Sequence, residues 1–163
     1  MSALIVIVAD DITGAADCGV ACSAAGLSTV VALNDAARAK DLDAEAIAFD
    51  ADTRYRSSEQ ACTATAQAVR ELCAAGDVRV LYKKIDSTLR GNFAIEIAAA
   101  RASSAGLIFG HRTGNVIAPD PPLCIVAPAF PATGRTTRNG RMFIQGVALE
   151  ETEIWQNEKI GGV

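Results

Sequence analysis

The chain has 163 residues, half of them hydrophobic and only 5% aromatic, with 15 basic against 19 acidic side chains and a formal net charge of −4. That length and an apolar content of mostly Ala, Val, Ile and Leu suit one packed α/β domain rather than a disordered chain. With no basic excess to neutralise phosphates, the charge balance excludes a general binder of nucleic acid or membrane surfaces, while a local group of cations can still hold one small anion. The five cysteines are scattered and odd in number, and the chain has a single histidine, His111. Cys18 and Cys22 are four apart on one helix face, which is neither a C-x-x-C redox pair nor a zinc knuckle; the expectation is reduced thiols in a cytoplasmic protein. Residues 1–10 lack the basic start of a signal peptide. No apolar run approaches the ~18 residues that span a bilayer.

In chain order, residues 4–9 form a short β-branched run closed by Asp10-Asp11, the pattern of a strand buried on both faces. A helix of small residues follows, capped by Asp11 or Thr13 and ended by Gly26. Residues 28–33 predict a second strand, 34–43 a polar link with a helical turn, and 46–49 a third strand. The start signal Ser57-Ser58-Glu59-Gln60 and the stop signal Gly76 frame a helix over 57–75. A fourth strand over 78–82, a helix over 92–103 and a fifth strand over 123–127 complete the rhythm. Strands alternating with helices predict a three-layer α/β/α domain with a mainly parallel sheet, whose ligand site lies at the strand carboxyl ends. Residues 106–122, with three prolines, three glycines and no periodicity, predict a mobile excursion. Residues 142–144 and 147–149 predict a hairpin around Gln145-Gly146.

Four polar clusters stand at predicted strand ends: Asp10-Asp11, Asp52-Thr53-Arg54, the stretch 83–92, and 134–138. In a parallel sheet these would converge on one edge. The stretch 83–92 is the densest, with Lys83, Lys84 and Arg90 as cations, Asp86 as carboxylate, Ser87 and Thr88 as hydroxyls, and Gly91 to admit close backbone approach. Lys83 and Lys84 alternate faces on a strand, so one of them at most reaches the site. Asp10 and Asp11 also point to opposite faces; one can face the crevice while the other caps the helix, and the plainer alternative is a helix cap with a solvated neighbour. Gly134-Arg135-Thr136-Thr137 offers another flexible, cationic, hydroxylated turn. The P-loop pattern G-x-x-x-x-G-K-S/T is absent, so the common nucleotide cradle is missing. Asp50-Ala51-Asp52 touches the D-x-D-x-T/V pattern of haloacid-dehalogenase-like phosphotransferases, but the threonine comes one place early.

The strings ADDITGAAD at 9–17, DTR at 52–54, YKKIDSTLRGN at 82–92 and PAFP with GRTT at 128–137 together resemble the four-carbon acid sugar kinase family, in order and rough spacing over nearly the whole chain. Members of that family have an amino-terminal domain that binds the sugar acid and a following domain that binds ATP; they phosphorylate the terminal hydroxyl of threonate, erythronate or 3-oxo-tetronate. The resemblance implies that residues 1–150 are the sugar-acid-binding domain and that 151–163 begin a linker to a nucleotide-binding domain, supplied in cis or in trans, with ATP and Mg²⁺ entering mainly through that domain and no metal held here. It assigns Asp10, Asp11 and Lys84 to catalysis, Asp10 or Asp11 as the base that orients the terminal hydroxyl. It assigns Arg54, Lys83, Asp86, Ser87, Arg90, Gly134, Arg135 and Thr136 to substrate binding. A homodimer is open, and the competing class is a non-catalytic sugar-acid-binding module. Two departures from the family are visible: the link over 106–122 is longer, and residues 147–153 depart from the family's Pro-Leu wording.

Overall fold

A computed structural model describes residues 4–74, 78–105, 107 and 123–157. Four parallel strands, β1 (Ile5–Ala9), β2 (Thr29–Leu33), β3 (Ala46–Asp50) and β4 (Val80–Lys84), form one sheet in the order β2-β3-β1-β4. Helix α1 (Ile12–Ala24) covers one face, against Ile7, Ala9 and Ala48. Helices α2 (Ala36–Ala39), α3 (Ser58–Cys73) and α4 (Phe93–Ser103) cover the other, where Val6, Val8, Ile47 and Phe49 meet Val69 and Leu72. The three layers and the parallel sheet are those the sequence predicts, because β1 is apolar at every position and so tolerates cover on both faces.

Local chemistry fixes the helix starts. Asp11, in extended backbone, accepts a hydrogen bond from the Gly14 amide at 2.8 Å and caps α1. Ser57 and Gln60 exchange bonds in a full capping box at α3. Gly19 lets α1 lie close on the sheet, since a Cβ there would stand 2.7 Å from Val31 Cγ2.

The connections set the crevice. The chain leaves β1 toward the α1 face, whereas it leaves β3 and β4, the strands on either side of β1, toward the opposite face. The loops therefore part above the carboxyl end of β1, which is where such sheets bind ligands.

Three expectations are corrected. The fourth strand is two residues later than 78–82, because β1 pairs in register from Ile5–Val80 to Ala9–Lys84 and draws Lys83 and Lys84 into the sheet. No fifth strand forms over 123–127: Leu123 and Ile125 are 83% and 84% exposed, and the run stands off β4 across a cleft of about 330 Å³. Apolar content predicts burial, but a strand also needs an adjacent edge to bond. Third, residues 135–138 are a strand, β5 (Arg135–Arg138), and not a turn above the parallel sheet. β5 pairs antiparallel with β6 (Arg141–Ile144), which pairs with β7 (Val147–Ala148) around Gln145-Gly146 as the sequence predicts. A 3-10 turn at Leu149–Glu151 packs on β6, and helix α5 (Glu153–Asn157), within the 151–163 stretch expected to begin a linker, packs on that turn. The 106–122 excursion with His111, the Gly76 stop signal and the tail beyond 157 lie outside the described residues, Leu107 excepted.

Candidate functional site

Above the end of β1 three loops bring together residues far apart in sequence, Arg54 with Asp10 and Asp11 and Arg54 with Asp86. Asp10 is the last buried residue of the β1 run, 2% exposed. Arg54, in the loop between β3 and α3, reaches it with a two-pronged bond, Nε to Oδ2 at 2.8 Å and Nη2 to Oδ1 at 3.1 Å. Its Nη1 donates to Asp11 Oδ2 at 2.5 Å. The backbone binds the same two loops, with the amides of Thr53 and Arg54 donating to the Asp10 carbonyl at 2.9 and 3.1 Å. Burial acts to lower the Arg54 pKa, but the bond and charge of Asp10, then the charges of Asp11 and Asp86, outweigh it and raise the value above the ordinary one.

After β4 the chain folds around Asp86. Its carboxylate accepts bonds from the Thr88 amide at 3.1 Å, the Thr88 hydroxyl, and Arg90 through Nε at 2.8 Å and Nη2 at 2.9 Å. Burial works to raise the Asp86 pKa. The bonds from Arg90 and Thr88, with the charges of Arg90 and Arg54, win and hold it well below the usual carboxylate range. Leu89 takes a left-handed φ of 60° inside this loop, a conformation that persists only where its surroundings over-determine it. Arg54 Nη2 comes within 4.0 Å of Asp86 Oδ1, which joins the two clusters.

Lys84 faces the α1 side, where its Nζ donates to the Ile85 carbonyl at 2.9 Å. Its chain passes the start of α1, with Cγ and Nζ 3.1 and 3.6 Å from where a Gly14 Cβ would stand. Asp10, Asp11 and Asp86 against Arg54, Arg90 and Lys84 make three charges of each sign. Among the described residues, Lys84 is the cation of this group with no carboxylate within ion-pair distance. Ser87, next to Asp86 in the chain, is half-buried.

Four of the sequence-assigned residues fall elsewhere. Lys83 takes the opposite face to Lys84 and runs under α4, where its Nζ lies 2.9 Å from Glu96 Oε2, the two side chains 7% and 1% exposed. Strand alternation sends it there once β4 extends to Lys84. No well-directed hydrogen bond reaches either Glu96 oxygen, so the pair is held by charge. Gly134, Arg135 and Thr136 belong to the small sheet: the Gly134 amide donates to Pro131 O, and Arg135 pairs with Phe130 and with Thr133 Oγ1. These bonds stay within residues 130–145, and β5 pairs with β6 rather than with a strand of the parallel sheet. Conversely, Thr88 is absent from the residues that the resemblance assigns, yet its amide and hydroxyl both bond Asp86. Its spacing two residues after Asp86 is the signal, since a side-chain carboxylate commonly bonds backbone two residues on.

A parallel α/β domain with charged side chains from three loops gathered at its switch point has the layout of a small-molecule-binding domain. The sequence profile of the "Sugar-binding N-terminal domain" family matches residues 5–162, and the chain belongs to that family. It is 43% identical over 157 residues to a D-threonate kinase of Cupriavidus necator, and 33% identical over 159 residues to a 3-oxo-tetronate kinase of Methylobacterium radiotolerans. These alignments cover 96% and 94% of this chain but 33% and 34% of those kinases, so the chain spans about a third of their length. Among solved structures, a domain of unknown function from Bordetella bronchiseptica, with bound citrate and as a domain-swapped dimer, superposes with a TM-score of 0.79 at 35% identity, over 98% of this chain and 37% of that one.

Proposed function

We propose that this chain is the substrate-binding part of an ATP-dependent kinase that phosphorylates the terminal hydroxyl of a four-carbon acid sugar: threonate, erythronate or 3-oxo-tetronate. The observation that carries this is the gathering of Asp10, Asp11, Arg54, Lys84, Asp86 and Arg90 above β1 in a family whose relatives bear those substrate names. Carboxylates held in place are acceptors for substrate hydroxyls, and cations and backbone amides meet the substrate carboxylate. Arg90 and Ser87 hold the carboxylate, Asp11 or Asp10 orients the terminal hydroxyl, and Lys84 meets the charge of the transferred phosphoryl group. Arg54, already bound to two carboxylates, sets the place of Asp10 and Asp11 rather than gripping the substrate. The citrate in the Bordetella relative, itself a hydroxylated polycarboxylate, supports an acid ligand.

ATP and Mg²⁺ belong with the remainder of a kinase of the relatives' length. A resident cation does not fit among Asp10, Asp11 and Asp86 here, because the Arg54 guanidinium sits among their oxygens at 2.5–4.0 Å. Catalysis of such transfers is mostly positioning and electrostatics, and this chain supplies the positioning of the acceptor. The site of action is the cytoplasm, and the Bordetella precedent favours a dimer.

Calorimetry with D-threonate, D-erythronate and 3-oxo-tetronate tests the reading: at least one binds saturably, and Arg90→Ala weakens it by about 1.5–3 kcal/mol, as for loss of a charged hydrogen bond. Failure of all three to bind would sink it. The chain alone turns over no ATP in a coupled assay; turnover would contradict the division of labour.

A further inference from the structure

We infer that Asn92 is a positioning residue that fastens the loop after β4 to the loop after β3 and sets Arg54 in place. Only its ligand readout rests on the sugar-acid reading above. Asn92 stands immediately before α4, the place of a cap, yet its side chain makes no cap bond to that helix. Its Nδ2 instead donates to the carbonyls of Thr53 at 3.1 Å and Arg56 at 2.9 Å. Its Oδ1 accepts from the Ser58 hydroxyl at 3.1 Å. All three partners are 34 to 39 residues away in sequence, and the two carbonyls flank Arg54.

Gly91 completes the seat. Its φ is +79°, and a Cβ on it would stand 3.2 Å from the Arg54 carbonyl oxygen and 3.3 Å from Arg54 Cα and Cγ. The loop that carries Asp86 and Arg90 is thus pressed directly on the backbone and side-chain root of Arg54. Asparagine suits the role because one amide offers two donors to two carbonyls and an acceptor to a hydroxyl. An aspartate would face the same carbonyls with no donor. The guanidinium that holds Asp10 and Asp11 is therefore located by the far loop as well as by its own.

The test uses the full chain. In ¹⁵N spectra the Arg54 Nε–H, bonded to the buried Asp10, exchanges slowly with solvent in the wild type. In Asn92→Ala and Asn92→Asp it exchanges at least about tenfold faster, as a local opening rather than a global one. Val69→Ala, a core change in α3 far from the loops, lowers the melting temperature but leaves that exchange at its wild-type rate. With D-threonate as probe, Asn92→Ala weakens binding about tenfold, and Arg54→Ala/Asn92→Ala binds no more weakly than Arg54→Ala alone. Unchanged Arg54 Nε–H exchange in Asn92→Ala, or additive losses in the double variant, would overturn the inference. If the wild type binds no D-threonate while the exchange still responds, this substrate is wrong and the positioning role stands.

Discussion

The parallel body and the small antiparallel sheet both carry arginines next to hydroxyls and glycines, yet they use them oppositely. Above β1, Arg54 and Arg90 meet buried or half-buried carboxylates, Arg54 across more than 40 residues of chain. In the small sheet, Arg141 pairs with Glu150 in the open, and Arg138 and Arg141 lie over the Phe143 ring at 5.4 and 5.9 Å. The first arrangement is built by parallel topology, which brings distant strand ends to one edge. The second is built by hairpin neighbours. Similar short strings thus come to differ in energy, and the difference can be attacked from both sides.

The largest effect is expected at Arg54. Arg54→Ala leaves Asp10 buried without its partner and should cost about 3–5 kcal/mol of unfolding free energy, as when one member of a buried pair is removed. Denaturant melts of the two proteins measure it; a loss below 1 kcal/mol would mean that the network is no more than a surface pairing.

Lys83 and Glu96 come next. Glu96→Leu alone strands the Lys83 ammonium under α4 and should destabilise by about 3 kcal/mol. Lys83→Met with Glu96→Leu removes both charges, and stability returns to the wild-type value or above it. Because Lys83 turns away from the crevice, the double variant also keeps sugar-acid affinity. A loss of affinity without loss of stability would put Lys83 back in the site.

These two arginine and lysine cases show what the sequence could and could not say. Strand and helix order was legible, because β1 to β3 are short apolar runs and α1 and α3 carry explicit caps at Asp11 and Ser57. The gathering of Asp10, Asp11, Arg54, Asp86 and Arg90 followed from topology alone. Strand alternation told that at most one of Lys83 and Lys84 reaches the site but not which: the run from Val78 to Lys84 has no internal break, and where the strand ends depends on its pairing with β1, not on its own residues. Nor was the bonding of Arg54 to Asp10 and Asp11 legible, since a cation beside a polar crevice reads equally as a ligand for substrate. The run at 123–127 shows the same limit, with the composition of a strand but no edge to bond to.

Acid sharpens the comparison next. Asp86 has its folded pKa depressed, chiefly by Arg90 and Thr88 against the opposing effect of burial. Its contribution is fully present above the ordinary carboxylate pKa of about 4 and is lost as pH falls from there through the lower folded value. Melting temperature should therefore drop between about pH 5 and pH 3. In Asp86→Asn that drop shrinks, as differential scanning calorimetry will show. An equal acid response in both proteins would assign it to other carboxylates.

The smallest effect is expected in the small sheet. The Arg141–Glu150 pair is exposed at both ends, where water solvates each charge well and ordering two long side chains offsets the attraction. The Glu150 pKa is lowered by a hydrogen bond from its own backbone and by Arg141, but a depressed pKa at so open a site does not translate into fold stability. Arg141→Ala should leave the melting temperature, its salt dependence and sugar-acid affinity unchanged within error. A clear loss of affinity here would mean that the small sheet reaches the ligand, and the contrast between the two regions would fail at its weaker end.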